Sequence, residues 1–317
     1  MVSCNPGAGG TEGLEKLVAR LHELDCAVIH YEHPFAVDPD GAGYMPSSDP
    51  MQHTEHWNSV THHSVCVDNE AVRSLWSNRI LPDIAALAPD GIQFDQGSLQ
   101  QTVCDLPDHY HGLDALSRLT SHIHAIVDLS KETREKIGFI FSESTCDLLT
   151  RYMDMRQNAL NRKPLFGGEH LPVMQHFTFP QYIYGYDNYR LVNGGAKEDY
   201  VLKCGVYGGI LTVHNSYYDD KLQSYKKYTE FRKKIREANA PGYPSGFRHT
   251  VGLTVPEGVT ASAFVDKNGV TITYCTSEEE ITGVISVDLA ELGVKGGGTK
   301  EIELSMSPYT IDFTVLK

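Results

Sequence analysis

Two short apolar runs, Ile92-Gln93-Phe94 and Ile137-Gly138-Phe139-Ile140-Phe141, each stop abruptly at polar groups: Asp95-Gln96-Gly97 after the first and Ser142-Glu143-Ser144 after the second. Each run follows a segment of helical periodicity. In 69–87 the stripe is Val72, Leu75, Trp76 and Ile80; in 112–130 it is Leu113, Leu116, Leu119, Ile123 and Ile126. Strands that alternate with helices build a parallel sheet covered on its faces, and right-handed crossovers bring the strand ends to one rim. Few folds accept such a pattern. A carboxylate buried without a partner is costly, so a buried strand that ends in one must deliver it to solvent, to a partner or to a ligand.

The remaining elements extend the pattern. Thr11 to Asp25 reads as an amphipathic helix with Leu14, Leu17, Val18, Leu21 and Leu24 on one side, followed by a strand from Cys26 to Tyr31 that closes on His30-Tyr31-Glu32-His33-Pro34. Residues 35–67 read as a long irregular loop rich in Pro, Gly, Asp and His. Further on come a polar loop (98–110), a helix near 145–153, a Pro/Gly loop (161–170), apolar and aromatic stretches near 172–186, a strand from Gly205 to Val213 ending at His214-Asn215, and a charged helix (219–238). Polar residues after successive strands are the pattern of a (β/α)8 TIM barrel, whose chemistry sits at the carboxyl rim. Only about six barrel strands are visible and the sequence opens on a loop and a helix, so the expected form is a barrel lacking its first strands, an N-terminally truncated piece of a larger enzyme.

Beyond Phe247 the period changes. Val259–Val265 and Val270–Tyr274 flank Asp266-Lys267-Asn268-Gly269, a hairpin signal, and Ile281–Leu289, Glu301–Leu304 and Tyr309–Leu316 alternate in the same manner. The expected domains are therefore a barrel over 1–240 and an all-β C-terminal antiparallel sandwich over 247–317, joined by the Pro/Gly linker Ala240–Gly246.

Composition narrows the partners. A formal charge of −14 over 317 residues argues against a nucleic-acid surface and leaves neutral ligands such as sugars. The seven cysteines are odd in number, scattered and without a CxxC pair, which fits reduced thiols in the cytoplasm. No apolar stretch is long enough to span a bilayer, and Met1–Gly10 lacks both the basic start and the apolar core of a signal peptide. Oligomeric state is not legible.

Asp95 and Glu143 lie 48 positions apart, about one βα unit with a long loop, which places them at the ends of neighbouring strands. Adjacent strands are ~4.8 Å apart, within reach of the ~5–5.5 Å carboxyl separation of a retaining glycosidase. One carboxylate would attack the anomeric carbon while the other protonates the leaving oxygen. Asp90-Gly91-Ile92-Gln93-Phe94-Asp95-Gln96 resembles the nucleophile strand of bacterial α-glycosidase barrels of the α-galactosidase and α-N-acetylgalactosaminidase kind, and Phe141-Ser142-Glu143-Ser144 resembles their acid/base strand. Cys104-Asp105 and His109-Tyr110-His111-Gly112 look like the loop after the nucleophile in an uncharacterised group of these proteins. The resemblance covers roughly residues 11–215, and a β-sandwich behind the barrel accompanies it. It implies a retaining glycoside hydrolase for α-linked sugars, with Asp95 as nucleophile and Glu143 as acid/base.

Candidate sugar contacts are Gln96, His30, His33, His109, His111 and His214 for hydroxyls, and Trp57 and Tyr182 (with Tyr184 and Tyr186) as stacking faces. The histidines carry the rival reading: His109-Tyr110-His111 with Asp95 or Glu143 could bind a metal, as in a metal-dependent barrel hydrolase. No HExxH motif occurs, however, and the expectation is no metal and no cofactor, since two carboxylates suffice. A third reading is a non-catalytic carbohydrate-binding or scaffold remnant.

Overall fold

A computed structural model describes residues 9–33, 36–37, 54–57, 60–64, 66, 70–95, 114–143, 150–158, 183–187, 198–212 and 223–317. The chain divides into two compact units, Met1–Arg156 and Gln157–Lys317.

The first unit is built on a sheet in which β1 (Ile29–Glu32), β5 (Gly91–Phe94) and β6 (Phe139–Glu143) pair in parallel, with β7 (Met155–Asn158) next in order after β6. The rows are Ile29–Gly91–Phe139, His30–Ile92–Ile140, Tyr31–Gln93–Phe141 and Glu32–Phe94–Ser142. Ile92, Phe94 and Ile140 are almost completely buried. Phe94 meets Trp76 edge-on at 5.6 Å, so this face is the one covered by helix. That helix reads as one periodic stretch in the sequence but is a composite: α2 (Glu70–Leu75), a π-helical turn (Trp76–Ile80) and α3 (Leu81–Ala86). α4 (Ala115–Lys136) packs against α3 and β6, with Ala125, Ile126, Leu129 and Thr133 buried, and Ser77 Oγ donates to Glu132 at 2.7 Å to tie it to the π turn. β5 has a neighbour on each side, and Gly91 shows how close they are: a Cβ there would lie 2.8 Å from Ile29 Cδ1 and 2.9 Å from Phe139 O.

α1 (Gly10–Glu23) matches the expected helix to within two residues, but of its apolar stripe only Val18 is buried, and Leu17 and Leu24 are exposed. Exposed Ile29 and Tyr31 lie on β1, which has β5 as its sole strand neighbour among the described residues. The segment expected to be an irregular loop contains an antiparallel sheet in which β4 (Val60–Ser64) is flanked by β2 (Ala36–Val37) and β3 (Thr54–Trp57). Runs of only two to five residues with at most two apolar positions carry too little periodic signal to betray such strands. The helix expected near 145–153 is a 3₁₀ turn over Thr150–Tyr152 leading into β7, with 144–149 outside the described residues.

The second unit joins α/β elements to an all-β half. β8 (Ile183–Asp187) pairs in parallel with β9 (Ile210–Thr212). The expected strand over Gly205–Val213 is in fact the end of helix α5 (Glu198–Val206), a turn at Gly208 and then β9. A short apolar run cannot by its period alone tell a buried helix from a strand. α6 (Gln223–Glu237) follows. The C-terminal strands form two sheets: β10 (Phe247–His249), β12 (Val259–Asp266), β13 (Gly269–Thr276) and β16 (Ile311–Leu316) in one, and β11 (Leu253–Thr254), β14 (Ile281–Asp288) and β15 (Thr299–Met306) in the other. Ala261, Ala263, Val270, Ile272 and Tyr274 from the first pack against Ile285, Val287, Ile302, Leu304 and Met306 from the second in one core, as a sandwich requires.

This half is fastened to α5 and α6. Thr273 Oγ1 donates to Val206 O at 2.8 Å, Lys227 Nζ donates to Pro308 O at 3.3 Å and Tyr309 O at 2.8 Å, and Gly205 abuts Ile311. The 240–246 segment expected as a linker is itself packed, with Gly242 and Gly246 so close to the Val265 backbone that neither has room for a Cβ.

Candidate active site

Parallel register aligns the ends of β5 and β6. Phe94 is opposite Ser142, so Asp95 and Glu143 each come one residue later on adjacent strands, at the same level along the sheet. Since Phe94 turns toward Trp76 and the helices, Asp95 must turn to the opposite face. That face also carries Tyr31 and Gln93, two rows below. Asp95 is buried (9% exposed), and its own N–H donates to Glu32 O at 2.8 Å, holding the strand end against β1.

The Asp95 carboxylate does have a partner. The Tyr31 hydroxyl donates to Asp95 Oδ2. Tyr31 is absent from the sequence candidates although it lies within the polar end of β1; a phenol that reaches across to a neighbouring strand two rows further on leaves no trace in sequence spacing. His33 follows Glu32, which pairs with Phe94, and so falls level with Asp95 and Glu143. His30 does not join them. It shares its row with Ile92, on the helix-covered face, and its Nε2 lies 3.5 Å from Glu32 Oε2.

Gln96, His109, His111, Tyr182 and His214 lie outside the described residues. Trp57 ends β3, opposite Val60, in the small antiparallel sheet, and Tyr184 and Tyr186 lie on β8. Among the described residues no group of three or more His, Cys, Asp or Glu side chains is placed to hold a metal ion, and no helix is long and apolar enough to cross a membrane.

The opposite rim of the same strands carries structural charges. Asp90, just before β5, accepts from Val28 N–H at 2.7 Å and lies 2.9 Å from His22 Nε2. Those contacts, the Val28 amide first, hold its carboxyl below the ordinary aspartate range. Asp154, just before β7, repeats the arrangement: it accepts from Ile140 N–H at 2.8 Å and from Arg134 Nη1 at 3.1 Å.

No protein-family model and no curated protein matches the sequence. Solved structures do match the fold. A maltogenic α-amylase from Thermotoga neapolitana superposes with a TM-score of 0.59 at 13% identity, over 96% of this chain and 81% of that one. An α-galactosidase from Geobacillus stearothermophilus gives 0.60 at 14% identity over 96% of this chain and 46% of that one. The chain shares its fold with α-glycosidases. An α-N-acetylgalactosaminidase from Bifidobacterium bifidum gives 0.61 at 14% identity, over 87% of this chain and 44% of that one. The chain thus spans less than half the length of the latter two enzymes.

Proposed function

We propose that the chain is a glycoside hydrolase acting on α-linked sugars through a (β/α)8-type barrel over 1–240, followed in sequence by the sandwich of 247–317. The observation that carries the reading is the register that sets Asp95 and Glu143 side by side at the carboxyl ends of adjacent parallel strands, where barrels of this architecture do their chemistry. The fold shared with α-amylase and α-galactosidase structures supports the same substrate class.

In the proposed retaining reaction, Tyr31 engages Asp95 Oδ2 and orients the carboxylate, so that Oδ1 attacks the anomeric carbon. As that bond forms, the glycosidic C–O bond breaks and its electron pair leaves with the aglycone oxygen, which takes the proton from the Glu143 carboxyl. Water then attacks the glycosyl–Asp95 ester, Glu143 accepts its proton, and the sugar leaves with its original anomeric configuration. His33 lies level with both acids and is placed to bind a sugar hydroxyl; Gln96, His109, His111, Trp57, Tyr182 and His214 remain proposed sugar contacts.

The test is turnover of activated aryl α-glycosides by the full chain, with product configuration followed by NMR. Asp95→Asn should abolish turnover and Glu143→Gln should slow it most for poor leaving groups. Wild-type rates in Asp95→Asn, or an inverted first-formed anomer, would sink the assignment.

A further inference from the structure

A cleft of about 720 Å³ opens in the C-terminal unit where the later turns of α6 meet the 239–244 segment. Arg232, Lys233 and Arg236 line it from the helix, and Asn239, Tyr243 and Pro244 from the segment beyond; no acidic side chain lines it. The spacing i, i+1, i+4 sets the three cations along one side of the helix. In a chain of formal charge −14, a cleft walled by three cations and no acid runs against the average surface.

Basic residues near a helix C-terminus often do no more than offset the helix dipole. That accounts for Lys234 and Arg236, which lie in the last turn of α6. It does not account for Arg232, which lies before that turn and is half-buried. Arg232 Nη1 donates to the Tyr243 hydroxyl at 3.1 Å, and its guanidinium lies 5.6 Å from the centre of the Tyr243 ring. The phenol is a neutral partner: it donates onward to Gly205 O at 2.9 Å, and burial pushes its pKa up. Among the described residues no carboxylate pairs with Arg232, and Lys233 reaches Glu237 only at 3.9 Å. A guanidinium carries five N–H donors in a planar fork, and one hydrogen bond to a phenol leaves most of them for a planar or tetrahedral oxyanion. The size of the cleft falls within the ~300–1,000 Å³ range of small-molecule sites.

We propose that this cleft binds a small oxyanion-bearing ligand, a phosphate or carboxylate carried on a sugar-sized body. Arg232 makes the forked contact, Lys233 and Arg236 supply flanking charge, and Tyr243 and Pro244 offer apolar surface to the body. None of these residues belongs to the Asp95 unit, and the test makes no use of turnover.

Titration calorimetry of the full chain at low ionic strength, with glucose 6-phosphate, glucuronate, inorganic phosphate and glucose as separate probes, decides the matter. Expected is saturable binding of glucose 6-phosphate or glucuronate at one site per chain, tighter than inorganic phosphate, and no binding of glucose in the same range. Lys233→Ala with Arg236→Ala alters exposed positions, leaves the fold intact by circular dichroism, and weakens binding about tenfold or more through the lost charge-assisted contacts. Arg232→Lys keeps the charge, loses the fork and weakens binding comparably. No saturable binding of either sugar anion to the wild type would overturn the proposal. So would equal affinity for glucose, inorganic phosphate binding as tightly as the sugar anions, or unchanged affinity in both variants.

Discussion

Tyr31 and Asp95 carry the residue-scale argument. A hydrogen bond to a charged group contributes ~1.5–3 kcal/mol, so Tyr31→Phe should lower kcat/KM on an aryl α-glycoside by about tenfold or somewhat more, an effect on the order of that energy. The thermal midpoint should fall little, because Tyr31 is mostly exposed. A large stability loss with unchanged kcat would make the phenol a structural strut instead. At the opposite rim Asp90 gives a pH prediction. Its folded pKa is depressed by the Val28 amide and His22, so its stabilisation is present above the ordinary aspartate value and is lost as pH falls through the lower folded one. Asp90→Asn should therefore lower the denaturation midpoint at neutral pH and match wild type in strong acid. The side chain is 47% exposed, so solvent screening keeps the difference under ~1 kcal/mol.

Among the elements, β5 is the most constrained. It is held by β1 and β6 through continuous parallel register, one face is sealed by Trp76 and its helix, and the other presents Asp95. Gly91 is the tightest point, with Ile29 and Phe139 too close for a Cβ. Gly91→Ala should cost ~1–3 kcal/mol by overpacking in a denaturant titration, and it should also lower turnover by spreading the strands that align Asp95 with Glu143. Wild-type stability in that variant would contradict the register. The same unit twice uses one device for docking strands. An aspartate just before a strand accepts from a backbone N–H at or next to the adjacent strand and meets a basic side chain from a preceding helix, as Asp90 does with Val28 and His22 and Asp154 with Ile140 and Arg134. Acids at one rim thus fix the sheet, while those at the other rim are the proposed catalytic pair. Composition alone does not separate the two sets.

Across the whole molecule, the C-terminal unit couples the sandwich to α5 and α6 through Thr273–Val206, Lys227–Pro308 and Gly205–Ile311. Ile272 is fully buried between the two sheets. Ile272→Ala should cost ~2–5 kcal/mol, and hydrogen exchange should show α5 losing protection together with β12 and β13. Loss confined to the strands would mean that the sandwich unfolds alone.

The sequence by itself determined the alternation of strand and helix, the two acidic strand ends, the change to antiparallel β structure after 247, and the core position of Trp76, because these are local patterns of period and polarity written in consecutive residues. It misassigned Gly205–Val213 and passed over the strands within 35–67, where the local period is ambiguous or the runs are short and polar. Only tertiary structure decided which residues share a face. Register between β1, β5 and β6 moved His30 to the helix-covered side, brought Tyr31 onto Asp95 and set Asp95 level with Glu143. A one-residue shift in pairing turns each side chain to the other face, and that shift is fixed by packing between segments tens of residues apart, where no local pattern records it.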